Sequence, residues 1–151
     1  MKTAALIFSL GAVAFLPTVT LAAMSDAECN AAFATADTNK DGILTDTEGR
    51  RYFATLRVAQ KSVADGKLMQ ADFLTHCKAD VFKASTTEAG APLTGANSFT
   101  EAQAQDRALA VGLMTISALK KDDNGVWRGT AMDGTRSVTI AIDYKGNVVA
   151  K

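Results

Sequence analysis

Hydrophobic and polar positions follow three regimes along this chain. Ala4 to Leu16 is an uncharged apolar run behind a short positive start, Met1-Lys2, and it breaks at Pro17 before the small residues Thr20-Leu21-Ala22-Ala23. That layout reads as a secretory signal peptide over 1–23, with cleavage after Ala22 or Ala23. The run is too short for a membrane span, which needs about 20 apolar residues. Over 24–83 apolar positions recur at helical spacing around a short acidic loop. Residues 84–97 show no periodicity and contain Gly90, Pro92 and Gly95, the composition of a linker. From 98 to 151 the period changes from about 3.6 to 2, predicting one helix followed by short strands. The expected fold class is therefore α+β: a helical subdomain over 24–83, then a small helix-plus-antiparallel-sheet subdomain over 98–151.

The acidic loop carries the chemistry. Residues 37–48 read Asp37-Thr-Asn39-Lys-Asp41-Gly42-Ile43-Leu44-Thr45-Asp46-Thr47-Glu48. Oxygen-bearing side chains fall at the first, third, fifth, ninth and twelfth places, with glycine at the sixth. The pattern resembles the calcium loop of the EF-hand family at all diagnostic places. The resemblance implies Ca2+ as cofactor, held by the side chains of Asp37, Asn39 and Asp41, the backbone carbonyl of Ile43 and both carboxylate oxygens of Glu48. Thr45 acts through a water, and Glu48 already lies in the following helix. Calcium takes six to eight hard oxygen ligands in a flexible geometry, which alternate side chains on a curling chain can supply. Phe33 one turn earlier, and Tyr52, Phe53 and Leu56 afterwards, fit the flanking helices of such a hand, with Ser25 or Asp26 capping the first. Gly49 departs from the pattern, because an apolar residue usually follows the glutamate. Lanthanide-binding relatives tend to carry proline where this chain has Thr38.

A second hand is only half present. Asp65-Gly66-Lys67-Leu68 through Asp72-Phe73 matches a loop from its fifth place onward, but the first and third places would be Lys61 and Val63, which offer no carboxylate. One ion per chain is expected, with Leu68 retained to pair with Leu44 between the two loops. That pairing brings the first and last helices of the subdomain together. Cys29 and Cys77 are the only cysteines, and export makes a disulfide between them the default expectation. Closing a loop of this length contributes about 4 kcal/mol in the chain-entropy model.

In the C-terminal part, Ser98 with Glu101 reads as a capping box for a helix that stops at Gly112. Residues 126–132 and 137–143 read as strands, with turns at Asp123-Asn124-Gly125 and Asp133-Gly134 and a last turn into Val148-Val149. Val138, Ile140 and Ile142 share one strand face, which is expected to pack on the helix. This arrangement, with its Asp-x-x-Gly-x-Val tail, resembles a PepSY-like domain. The resemblance implies a non-catalytic module outside the cytoplasm, associated with a periplasmic protein partner such as a peptidase.

Charge and composition exclude other classes. The chain has 16 basic and 16 acidic residues, and loss of Lys2 with the signal peptide leaves one more acid than base. A nearly neutral chain without a basic block gives no electrostatic case for nucleic acid. No stretch after residue 23 is apolar for long enough to span a membrane. His76 is the only histidine, and no nucleophile motif accompanies it, so no enzyme is expected. Asp122-Asp123-Asn124-Gly125 reads as a polar hairpin turn. Two functions stay open: an exported, periplasmic or secreted calcium-binding protein with a structural or sensor role, or an interaction module whose fold calcium merely stabilises.

Overall fold

In a computed structural model the described residues are 23–83 and 85–151. The signal peptide expected over 1–23 thus lies outside the described residues except for Ala23. Among the described residues four α-helices and two antiparallel sheets make an α+β fold.

The first helix, α1 (Asp26–Ala36), starts at a capping box. Ser25 Oγ accepts from the Glu28 backbone N–H, and the Glu28 carboxylate accepts from the Ser25 N–H at 2.8 Å. After the acidic loop come β1 (Ile43–Thr45) and α2 (Arg50–Val58), then a short 3-10 turn at Ala64–Gly66, β2 (Lys67–Met69) and α3 (Gln70–Lys78). The strands β1 and β2 pair antiparallel with Leu44 opposite Leu68, as expected from the two loops. Both leucines are sealed from solvent, together with Phe33, Phe53, Leu56 and Phe73. Phe73 is the hub of this core. It meets Phe33 edge-on at 5.3 Å and Tyr52 at 4.7 Å, and stacks on Phe82 at 4.8 Å. Phe82 lies beyond α3 and folds back onto the cluster, a contact that helical periodicity did not predict. The Cys29–Cys77 disulfide links α1 to α3 across a Cα–Cα distance of 5.9 Å, in agreement with the sequence expectation.

The C-terminal part comprises α4 (Glu101–Ala110) and a four-stranded meander of β3 (Lys120–Lys121), β4 (Trp127–Asp133), β5 (Arg136–Ile142) and β6 (Val148–Ala150). The capping box of α4 is not the expected Ser98–Glu101 pair but Thr100 with Gln103. The reason is competition for the acid. Glu101 Oε1 accepts from the Leu119 N–H at 2.8 Å and from Gln105 Nε2, so it fastens the loop after α4 instead of capping the helix. The helix does stop at the predicted glycine, Gly112. β3 was not expected, since two lysines carry no alternating pattern. Val138, Ile140 and Ile142 of β5 pack with Ala104 and Ala108 of α4, as their shared face predicted.

Residues 85–97 contain no helix or strand, yet they are fastened along the sheet. The Leu93 N–H donates to Asp143 Oδ2 at 3.2 Å, and the Gly95 N–H donates to the Asn124 carbonyl at 3.0 Å. The backbones approach so closely here that a Cβ on Gly125 would collide with the Gly95 carbonyl. The two halves also meet directly, because α2 packs along α4. Arg57 ties the seam, reaching Asp46 at 2.9 Å and Asp106 at 2.7 Å.

Asp143 is 1 % exposed. Burial alone would push its carboxyl pKa up. Hydrogen bonds from the Asn147 side chain and from the Leu93, Asn147 and Lys145 N–H groups outweigh burial and hold the pKa below its ordinary value of 3.8. A depressed folded-state pKa stabilises the fold above the unfolded value, and the contribution is lost as pH falls through the folded one. Asp143→Ala should therefore cost about 2–3 kcal/mol at neutral pH, since it leaves these donors unpaired. Asp143→Asn should lie below the parent at neutral pH, with the gap closing below about pH 4. Denaturant unfolding at several pH values measures both.

Candidate metal centre

The loop begins where α1 ends, with Asp37 at the helix C-cap. Its side chain turns into the loop and is 7 % exposed. Asp37 Oδ1 accepts from the Asp41 N–H at 3.2 Å, and Oδ2 accepts from the Gly42 N–H at 3.0 Å. Asn39 Oδ1 accepts from the same Asp41 N–H at 3.0 Å, and Asp41 Oδ1 accepts from the Ile43 N–H at 2.8 Å. The Asn39 and Asp41 bonds are successive Asx turns, in which a short polar side chain bonds the backbone two residues on, while those of Asp37 reach four and five residues on. They curl the chain so that Asp37, Asn39 and Asp41 gather on its inner side. The side chains of Asn39 and Asp41 also touch, Nδ2 donating to Oδ2 at 3.1 Å. Gly42 takes φ +78 with open space where a Cβ would stand. It is the backbone conformation, not crowding, that calls for glycine there.

Glu48 closes the loop from the far end. Its Oε1 accepts from Thr38 Oγ1 at 3.3 Å, and its Oε2 accepts from Thr45 Oγ1 at 3.2 Å and the Thr45 N–H at 3.4 Å. Sequence reasoning assigned Thr38 no part in this closure. Glu48 also stands outside α2, which begins at Arg50 with Gly49 as its N-cap. The correction follows from Gly49, whose φ −95 and ψ 26 are not helical, so the helix starts only after it, and the glycine itself has a packing cause. A Cβ at Gly49 would lie 3.1 Å from Leu44 Cβ, so an apolar residue after the glutamate would crowd the leucine that anchors β1 to β2.

The donor set fits a hard cation by its chemistry. Asp37, Asp41 and Glu48 supply carboxylate oxygens, Asn39 an amide oxygen and Ile43 a backbone carbonyl, the ligand types calcium prefers. The acids are not preassembled, however. Among the described residues no three His, Cys, Asp or Glu side chains converge as a metal cluster. Asp37 and Asp41 are occupied by loop N–H groups, while Glu48 is held by Thr38 and Thr45. The degenerate half-hand offers still less. The Lys61 N–H closes the end of α2 on the Leu56 carbonyl at 2.8 Å, and Asp72 is an exposed residue of α3. Asp122 accepts from the Asn124 and Val126 N–H groups and from Arg128 Nε at 2.7 Å, so this segment forms a self-contained hairpin turn. His76 packs edge-on against Phe82 at 6.0 Å.

In comparisons with known proteins, no family model, no curated protein and no solved structure matches the chain. No helix among the described residues is long and apolar enough to cross a membrane.

The loop depends on Leu44, which is 0 % exposed. Leu44→Ala should cost about 3 kcal/mol, the usual range for a buried leucine whose site collapses only partly. Thermal or denaturant unfolding measures that loss. A change under about 1 kcal/mol would mean that the loop is not anchored through this residue.

Proposed function

We propose that this is an exported calcium-binding protein in which one ion, held by the loop at 37–48, has a structural role. The observation that carries the proposal is the placement of Asp37, Asn39, Asp41 and Glu48 around a single curled loop whose turn is set by Gly42. Asp37, Asn39 and Asp41 would hold the ion through side-chain oxygens, Ile43 through its carbonyl and Glu48 through its carboxylate. The ion would supply positive charge among three acids, relieving their repulsion and stabilising the folded chain by mass action. Export is supported by the signal-like residues 1–23 and by the Cys29–Cys77 disulfide.

A structural role is favoured over a sensor role by the way the helices are tied. Sensor hands open their helix pair to expose an apolar groove. Here the disulfide joins α1 to α3, and Phe82 fills the space beside Phe73 and Tyr52. α2 is fixed from its other side by α4. We assign no catalytic step to the chain. The packing of α4 on an antiparallel sheet favours, as a second reading, a PepSY-like module over 98–151 that binds a periplasmic protein.

Calorimetric titration of the full chain with calcium should give one site, and Glu48→Gln should weaken it by about tenfold or more through loss of the charged closing ligand. An unchanged titration would refute the loop as the site. Saturating calcium should raise the thermal midpoint without increasing the fluorescence of a dye for exposed apolar surface. A large increase would overturn the structural role in favour of a sensor.

A further inference from the structure

The four-stranded sheet covers α4 with one face, while its other face carries a groove of about 600 Å³. This groove is separate from the acidic loop. Its apolar lining includes Pro92, Ala118, Ile140, Ala141 and Val149, and no carboxylate side chain lines it. The cations Lys120, Arg128 and Lys151 do. Lys120 and Arg128 stand directly opposite one another in the β3–β4 register. Like charges so placed cost a sheet stability. Asp122 neutralises Arg128 from one side at 2.7 Å, whereas Lys120 has no ion pair among the described residues. An apolar hollow edged by cations, Lys120 and Arg128 on the β3–β4 side and Lys151 on the β6 side, suits a ligand with an apolar body and an anionic head.

We propose that this groove binds a small amphipathic carboxylate, its chain against Ala118, Ala141 and Val149 and its head beside Lys120 and Arg128. The volume lies within the roughly 300–1,000 Å³ of small-ligand pockets. An extended peptide fits less well. A peptide added as a strand would join the backbone at the sheet's edges, β3 or β6, not the side chains of the face on which the groove lies.

The test uses the full chain with decanoate, decanol and decyltrimethylammonium below their micelle concentrations, followed by amide NMR and calorimetry. Decanoate should shift the amides of Thr130, Thr139 and Ala141, and bind more tightly than the neutral and cationic analogues. Lys120→Glu should weaken decanoate by about tenfold, the loss of one charge-assisted contact. It should leave the thermal midpoint equal or higher, because an opposite-charge pair replaces a like-charge one. Thr139→Trp, an exposed position filling the groove, should abolish the shifts. Absence of shifts with decanoate would overturn the proposal, as would equal binding of all three probes or undiminished binding by folded Lys120→Glu. Shifts at these amides from an acidic peptide but not from decanoate would equally overturn it.

Discussion

Leu44 and Leu68 face each other across a ladder only three residues long, and much of the helical half depends on that contact. A three-residue ladder has few hydrogen bonds of its own, so burial of the two leucines must hold it together. Once they meet, the acidic loop is fixed at its midpoint, and α1 and α3 lie side by side. That adjacency brings Cys29 within reach of Cys77 and places Phe33, Tyr52 and Phe82 around Phe73. It also explains Gly49, since the leucine needs the space that a side chain there would take. A loop pinned at Leu44 and turned at Gly42 keeps its oxygens on one side without a cluster of bare acids having formed.

The second constraint is the seam between the halves. There α2 packs along α4, and Arg57 holds one carboxylate from each side of the seam. The hydrogen bonds that Arg57 donates to the Asp106 carboxylate, more than the opposing effect of burial, raise the Arg57 pKa above its ordinary range, with Asp46 adding to it. The guanidinium therefore stays charged at any relevant pH. On the far side of the sheet, Asp143 gathers the last turn and the segment around Leu93. Residues 85–97 thus act as a strap rather than a slack tether, and α4 is shared between the sheet and α2.

Much of this was legible in the residues. The helices over 24–83, the period change after residue 97, the Leu44–Leu68 pairing, the disulfide and the α4-facing side of β5 all follow from patterns with a direct physical cause. The α4 cap was misplaced because Ser98 and Thr100 each have a Glu or Gln three places on, and only the fold shows that the Leu119 N–H takes Glu101. β3 could not be read because Lys120 and Lys121 become a strand through pairing with β4, not through their own preference. Phe82, Arg57 and Asp143 act through partners distant in sequence, which no local period reveals. In the loop the oxygen pattern was plain, whereas the hold of Thr38 and Thr45 on Glu48 was not, because hydroxyls at those places have many alternative uses.

The central claim is the location of the ion, and amide NMR of the full chain during a calcium titration tests it most directly. Shifts should concentrate at the amides of Asp41, Gly42, Ile43 and Glu48 and saturate at one equivalent, leaving Gly66, Asn124 and Gly125 nearly unchanged. Shifts centred on Asn124 and Gly125, or none within residues 37–48, would contradict it.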